Sequence, residues 1–309
     1  VPLHPQARQF IDTLEAAGLP TLPELSPPDA RAQAAILNDI VGPGPEVHFV
    51  EDFTIAVDGA SIAARQYEPE EAVATILWLH GGGWTICDLD SHDAMCRMLA
   101  NASGCRVLAV DYRLAPEHPF PTPLEDCWAA VNWVARKYPN EPLVLGGDSA
   151  GGNMTAVLAQ RARDRGGPAL ALQVLVYPAT DFTMHDSPSM QAYESGPDTF
   201  LTEAEMTWFE ANYVPDPTLR ENVEISPLKA ETLAGLPPAI VVTATYDPLC
   251  DQGVAYAERL AAEGVPVSHH HYDDQIHAFF TLVNIFESAN EAVPMVGAEI
   301  RETVASAVA

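Results

Sequence analysis

The chain has 309 residues, 48% of them hydrophobic, with 43 acidic and 15 basic side chains and a formal net charge of -28. That length supports one large core and excludes a small stapled scaffold, and the charge argues against a nucleic-acid-binding or anionic-membrane-binding surface. Lys137 and Lys229 are the only lysines, so the surface repels itself wherever salt does not screen it, and halophilic adaptation is the working expectation.

Taken in chain order, residues 1–44 carry amphipathic helical patterning broken by Pro20, Pro23, Pro27 and Pro28. They read as N-terminal cap helices laid on a domain of residues 45–309. Val47–Ile55 and Ser61–Tyr67, on either side of Val57-Asp58-Gly59-Ala60, are expected to form a hairpin. Short runs rich in Val, Ile and Leu follow at 72–79, 105–110, 142–145, 170–177 and 239–245, and they predict strands buried on both faces. Helical periodicity falls between them at 92–102, 123–137 and 153–165. This alternation predicts an α/β fold with a mostly parallel sheet. It lapses between residues 181 and 226 into a Pro-rich, acidic and aromatic stretch with one expected helix at 202–212, read as a cap insertion. It resumes through a helix at 251–262, a strand at 265–271 and a last helix starting near Thr281 or Glu291.

The strongest chemical signal is Gly147-Asp148-Ser149-Ala150-Gly151, a G-x-S-x-G between an apolar strand and a helix. A sharp strand-to-helix turn thrusts the serine out of the sheet, and small flanking residues keep it from colliding with its neighbours, so Ser149 is the expected nucleophile. His80-Gly81-Gly82-Gly83-Trp84 follows another strand and can present free backbone N–H groups. Gly82, Gly83 and Ala150 are the expected oxyanion donors, because donors fixed in advance stabilise the charge of a tetrahedral intermediate. A serine nucleophile also needs a base and a carboxylate to orient it. Asp247 and His277 each follow a predicted strand and suit those roles, with Asp251 as the alternative carboxylate.

Competing readings attach to several of these residues. His269 and His271 share one strand face and could join Asp273 or His277 around a metal, although a solvated edge strand is the simpler reading. Cys87 reads as a buried thiol rather than a second nucleophile. Trp84, Trp208, Phe209 and Phe279 are the aromatics placed near an acyl or alcohol pocket, with ordinary core packing an equal reading for each. Neither a phosphate loop nor a dinucleotide fingerprint is present, so no cofactor and no metal are expected. Five cysteines without paired short spacing suggest a reducing, cytoplasmic location, and no run reaches the roughly 18 apolar residues a membrane span needs.

Laid out together, His80-Gly-Gly-Gly83, Asp111-Tyr-Arg-Leu-Ala-Pro-Glu117, Gly147-Asp-Ser-Ala-Gly-Gly152, Tyr246-Asp247-Pro-Leu-Cys-Asp251 and Ile276-His277-Ala-Phe279 resemble the motifs of the hormone-sensitive-lipase-like α/β-hydrolase esterases, in their usual order. The resemblance implies a central sheet of about eight strands under a helical cap, and cofactor-free hydrolysis of short- to medium-chain acyl esters. It also implies that Asp111 and Arg113 form a structural pair. The family often has glycine at the position of Cys87 and at that of Asp274 or Ala278, which bears on the shape of the pocket. The expected partner is a small-molecule ester, and the protein is expected to be a monomer or homodimer. A peptidase or amidase on the same three residues is the alternative, and a non-catalytic ligand-binding protein has no use for all three.

Overall fold

The computed structural model describes residues 1–193 and 195–308. The hairpin is formed by β1 (Phe49–Val57) and β2 (Ala60–Glu68), with Val57 opposite Ala60 across an Asp58-Gly59 turn. Then come β3 (Thr75–Leu79), β4 (Arg106–Asp111), β5 (Leu143–Asp148), β6 (Leu172–Val176), β7 (Ala239–Tyr246) and β8 (Val267–Ile276). The eight strands lie in the order β1-β2-β4-β3-β5-β6-β7-β8. β2 runs antiparallel to β1 and β4, and every other neighbouring pair is parallel.

Strands that are apolar on both faces need cover on both sides, and the helices supply it. Ile76, Trp78, Val107 and Val144 pack on one side with Met95 and Leu99 of α3 (Asp93–Ser103) and Val293 and Ile300 of α9 (Glu287–Val308). On the other side Leu77, Leu108 and Leu145 meet Leu124 and Val131 of α4 (Thr122–Lys137) and Met154 and Leu158 of α5 (Ala150–Asp164). Val241 and Leu175 extend that layer to Tyr256 and Leu260 of α8 (Cys250–Ala262). The result is a three-layer α/β/α sandwich, the α/β-hydrolase architecture the motifs imply.

The remaining helices lie outside these layers: α1 (Pro5–Ala17), α2 (Pro27–Val41), the short α6 (Pro188–Ala192) and α7 (Glu203–Tyr213). α2 is fastened to the sheet domain by Arg31. Its guanidinium donates to the carbonyls of Thr85 and Ala115, both at 2.8 Å, and reaches both oxygens of Glu117 at 2.9 and 2.6 Å.

Element boundaries differ from expectation where packing overrides composition. β5 runs on through Gly146 and Gly147, residues poor in strand propensity, because both pair with β3 and β6 and because the Trp78 ring lies where a Gly146 side chain would stand, 2.9 Å from an added Cβ. β8 continues past His271 to Ile276, with an irregular register between Ala244 and Tyr246 of its neighbour. α9 starts at Glu287 and carries Pro294 inside it, after a single 3-10 turn at Phe279–Thr281.

Candidate active site

Each of the three residues expected to act together is the first residue beyond a parallel strand: Ser149 after β5, Asp247 after β7 and His277 after β8. The carboxyl edge of such a sheet is where open α/β folds leave a crevice. Ser149 sits at φ 53°, ψ -117°, a conformation costly for a side-chain-bearing residue. Its N–H donates to the Val176 carbonyl at 2.8 Å, and α5 begins at the next residue. The turn is possible because Gly151 lies against the Leu79 carbonyl, where any Cβ would overlap the oxygen.

The structure brings the three side chains into one line. His277 Nε2 is 3.0 Å from Ser149 Oγ, and His277 Nδ1 is 2.8 Å from Asp247 Oδ2. Asp247 is fully buried, and its other oxygen accepts the Leu249 N–H at 2.8 Å. Tyr177 packs on the imidazole with ring centroids 4.6 Å apart. Asp251 is turned away, its carboxylate accepting the Ser189 N–H at 2.8 Å.

The glycine loop stands beside this line. The Gly82 carbonyl accepts from Thr85 and Ile86 N–H at 3.0 and 2.9 Å, and the Gly83 carbonyl from the Thr85 hydroxyl at 2.9 Å. The N–H groups of Gly82, Gly83 and Ala150 donate to no protein atom among the described residues. Gly82 and Gly83 have φ of 98° and 55°, and the Phe209 ring occupies the space a Gly83 side chain would need.

His80 holds this loop without taking part in the line. Its ring stacks on Tyr112 at 4.2 Å, Tyr112 donates its hydroxyl to the His80 carbonyl at 2.8 Å, and burial, with His92 nearby, pushes the imidazole down to about 4. Sequence reasoning missed a further anchor. Asp148, beside the serine and buried, accepts from Trp78 Nε1 at 3.2 Å and Gly81 N–H at 3.2 Å and lies 3.0 Å from His92 Nε2, tying loop to elbow. Burial raises its carboxyl, but the histidines and the indole N–H outweigh that and hold it below the ordinary aspartate value. The buried position next to Ser149 was readable, but the three partners come from two other segments and had no local signal.

Several expectations are corrected. Arg113 pairs with Asp126 of α4, at 2.8 and 2.6 Å, and not with Asp111. Tyr112 turns inward between them, so Asp111 is left near Asp88 and Asp90. Burial, with those two carboxylates, pushes it up to about 6. Phe279 is a core residue, fully buried against Tyr272 and Tyr177, behind the imidazole rather than in a pocket. Trp84 is also buried, stacked on Tyr213 at 4.4 Å. Trp208 and Phe209 join Leu22, Leu25, Ala30 and Ile86 in a small apolar cluster above the glycine loop. As the simpler reading expected, His269 and His271 are exposed on the edge strand, where both lie 2.8 Å from the Thr243 hydroxyl. No group of three metal-ligating side chains occurs among the described residues.

Cys87 and Ala278, both at positions where the resemblance suggested glycine, have φ of 70°. Cys87 lies beside Gly82, and burial pushes its thiol up to about 12, so it is no thiolate at neutral pH. A left-handed Ala costs about 1–2 kcal/mol. Ala278→Gly is therefore expected to raise the melting temperature by about 2 °C in a thermal scan, after the larger unfolded-state entropy of glycine is subtracted. An unchanged or lower value would show that the strain is absent.

A serine, a histidine and a buried carboxylate in line at the edge of this sheet define a serine hydrolase of α/β architecture. A family model described as alpha/beta hydrolase fold matches residues 76–281. The chain is 41% identical over 257 residues to the carboxylic ester hydrolase LipN of Mycobacterium tuberculosis, covering 79% of this chain and 68% of that one. It is 37% identical over 270 residues to the ethyl acetate hydrolase of Pseudomonas putida, covering 83% and 84%. Among solved structures it resembles the hyperthermophilic esterase of Pyrobaculum calidifontis at a TM-score of 0.92 and 39% identity over the whole of both chains. The chain belongs to the α/β-hydrolase family of esterases and lipases.

Proposed function

We propose that the protein is a carboxylesterase acting on short- to medium-chain acyl esters, with Ser149 as nucleophile, His277 as base and then acid, and Asp247 as the carboxylate that orients it. The observation that carries this reading is the unbroken line from Asp247 through His277 to Ser149, next to three unused N–H donors. In the cycle, Ser149 Oγ attacks the ester carbonyl as its proton passes to His277 Nε2. The N–H groups of Gly82, Gly83 and Ala150 hold the negative oxygen of the tetrahedral intermediate. His277 returns the proton to the departing alcohol, and a water it activates then releases the acid. The name of the Pseudomonas putida relative supports small esters as substrates.

Residues 1–44 and 181–226 act in this reading as one cap. Arg31 latches the first part to the loop region, and Phe209 of the second rests on Gly83. No helix among the described residues is long and apolar enough to cross a membrane. All five cysteines are free thiols, which supports a cytoplasmic location, testable by fractionation of the source cells.

The decisive assay is kcat/KM for p-nitrophenyl butyrate, run from no added salt to about 3 M KCl, where screening is nearly complete at short range. Turnover is expected at every salt concentration that keeps the protein folded. Its absence throughout would overturn the esterase assignment. With a net charge of -28, both the melting temperature and kcat/KM are expected to rise with KCl, and a flat response in both would end the halophilic reading.

A further inference from the structure

One face of α7 packs on the glycine loop at two places. Tyr213 stacks on Trp84, and Phe209, one turn earlier, covers Gly83. One more turn toward the helix start on the same face brings Glu205, since side chains four apart are neighbours on a helix. Glu205 thus shares the face that packs on the glycine loop, and its carboxylate is within electrostatic reach of the His277 imidazole. No guanidinium or ammonium group lies against it among the described residues. Its local partner is Thr202, whose N–H and hydroxyl it accepts at 2.9 and 3.0 Å in a capping box. That box accounts for a glutamate or a glutamine equally well and leaves the charge unexplained.

We propose that Glu205 is a specificity-determining residue that biases the site toward esters bearing a cationic group and against anionic ones. The inference rests on the esterase reading above. Burial raises the Glu205 carboxyl from its ordinary value, against the Thr202 hydrogen bonds and His277, so the group is half withdrawn from water and its field on a bound ester is poorly screened. A quaternary ammonium group in the alcohol or acyl part of the substrate is attracted, and a carboxylate at the same place is repelled.

Two isosteric pairs isolate the charge: butyrylcholine against 3,3-dimethylbutyl butyrate, and betaine ethyl ester against ethyl 3,3-dimethylbutanoate. The quantity read is the ratio of kcat/KM within each pair, at pH 8 and low salt, in the wild type, Glu205→Gln and Glu203→Gln. Intrinsic reactivity cancels when one ratio is compared between proteins, and glutamine keeps the capping box. The cationic-to-neutral ratio is expected to fall about fivefold in Glu205→Gln for at least one pair, and the fall should shrink as KCl is added. Glu203 is exposed on the same helix, and its variant is expected to leave both ratios in place. Ratios unchanged in Glu205→Gln, or lowered as much by Glu203→Gln, would overturn the proposal. A wild type that hydrolyses neither neutral ester would instead count against the esterase reading itself.

Discussion

Ser149→Ala is expected to lower kcat/KM for p-nitrophenyl butyrate by at least about 10⁴-fold, with the fold intact. Deleting one oxygen removes the hydroxyl that His277 Nε2 faces at 3.0 Å. The neighbouring thiol offers no substitute, because burial holds Cys87 up at about 12. The free N–H groups of the loop and elbow survive the change, so a small rate above that of water should persist through oxyanion binding alone. An organophosphate ester should add a single phosphoryl mass to the wild type and none to the variant. A variant that kept a tenth of the wild-type rate, or still took the label, would place the nucleophile elsewhere.

Asp247→Asn is expected to cost about 10⁴-fold in kcat with a much smaller change in KM. The buried carboxylate uses one oxygen for the Leu249 N–H and the other for His277 Nδ1. Asparagine can still accept from Leu249 with its oxygen, and this turns its NH₂ toward the imidazole. Nδ1 must then accept, the proton moves to Nε2, and the nitrogen facing Ser149 can no longer take its proton. Asp251→Asn is the matched control. Its carboxylate serves the Ser189 N–H, so its effect should stay within about tenfold, far below a lost orienter. Equal effects of the two substitutions would show that the orienting role is shared.

The parts of the fold that could be read from the sequence are those with strong period or strong chemistry. The strand cores announce themselves because both faces are apolar, and the elbow and glycine loop because few backbones need such runs of small residues. Contacts that join distant segments had no such signature. Arg113 lies two residues from Asp111 in the chain, yet the inward turn of Tyr112 sends it to Asp126 on α4. Phe279 follows His277 closely enough to look like a pocket residue, but the turn after β8 folds it into the core. Glu205 carries no local sign of its neighbours, which only the packing of α7 on residues 83 and 84 supplies. In each case the missing quantity was which neighbour the tertiary fold would supply.

The Phe209 ring seated on Gly83 bears on how this protein can be recombined. Cap segments are attractive modules for exchange between relatives, because they shape access while the sheet does the chemistry. Here the ring fills the space over an expected oxyanion donor, so α7 is also part of the wall of that loop. A chimera that imports another cap without residues 81–87 leaves Gly83 bare or crowds it with an ill-fitting side chain. The unit to exchange is α7 together with the loop it rests on.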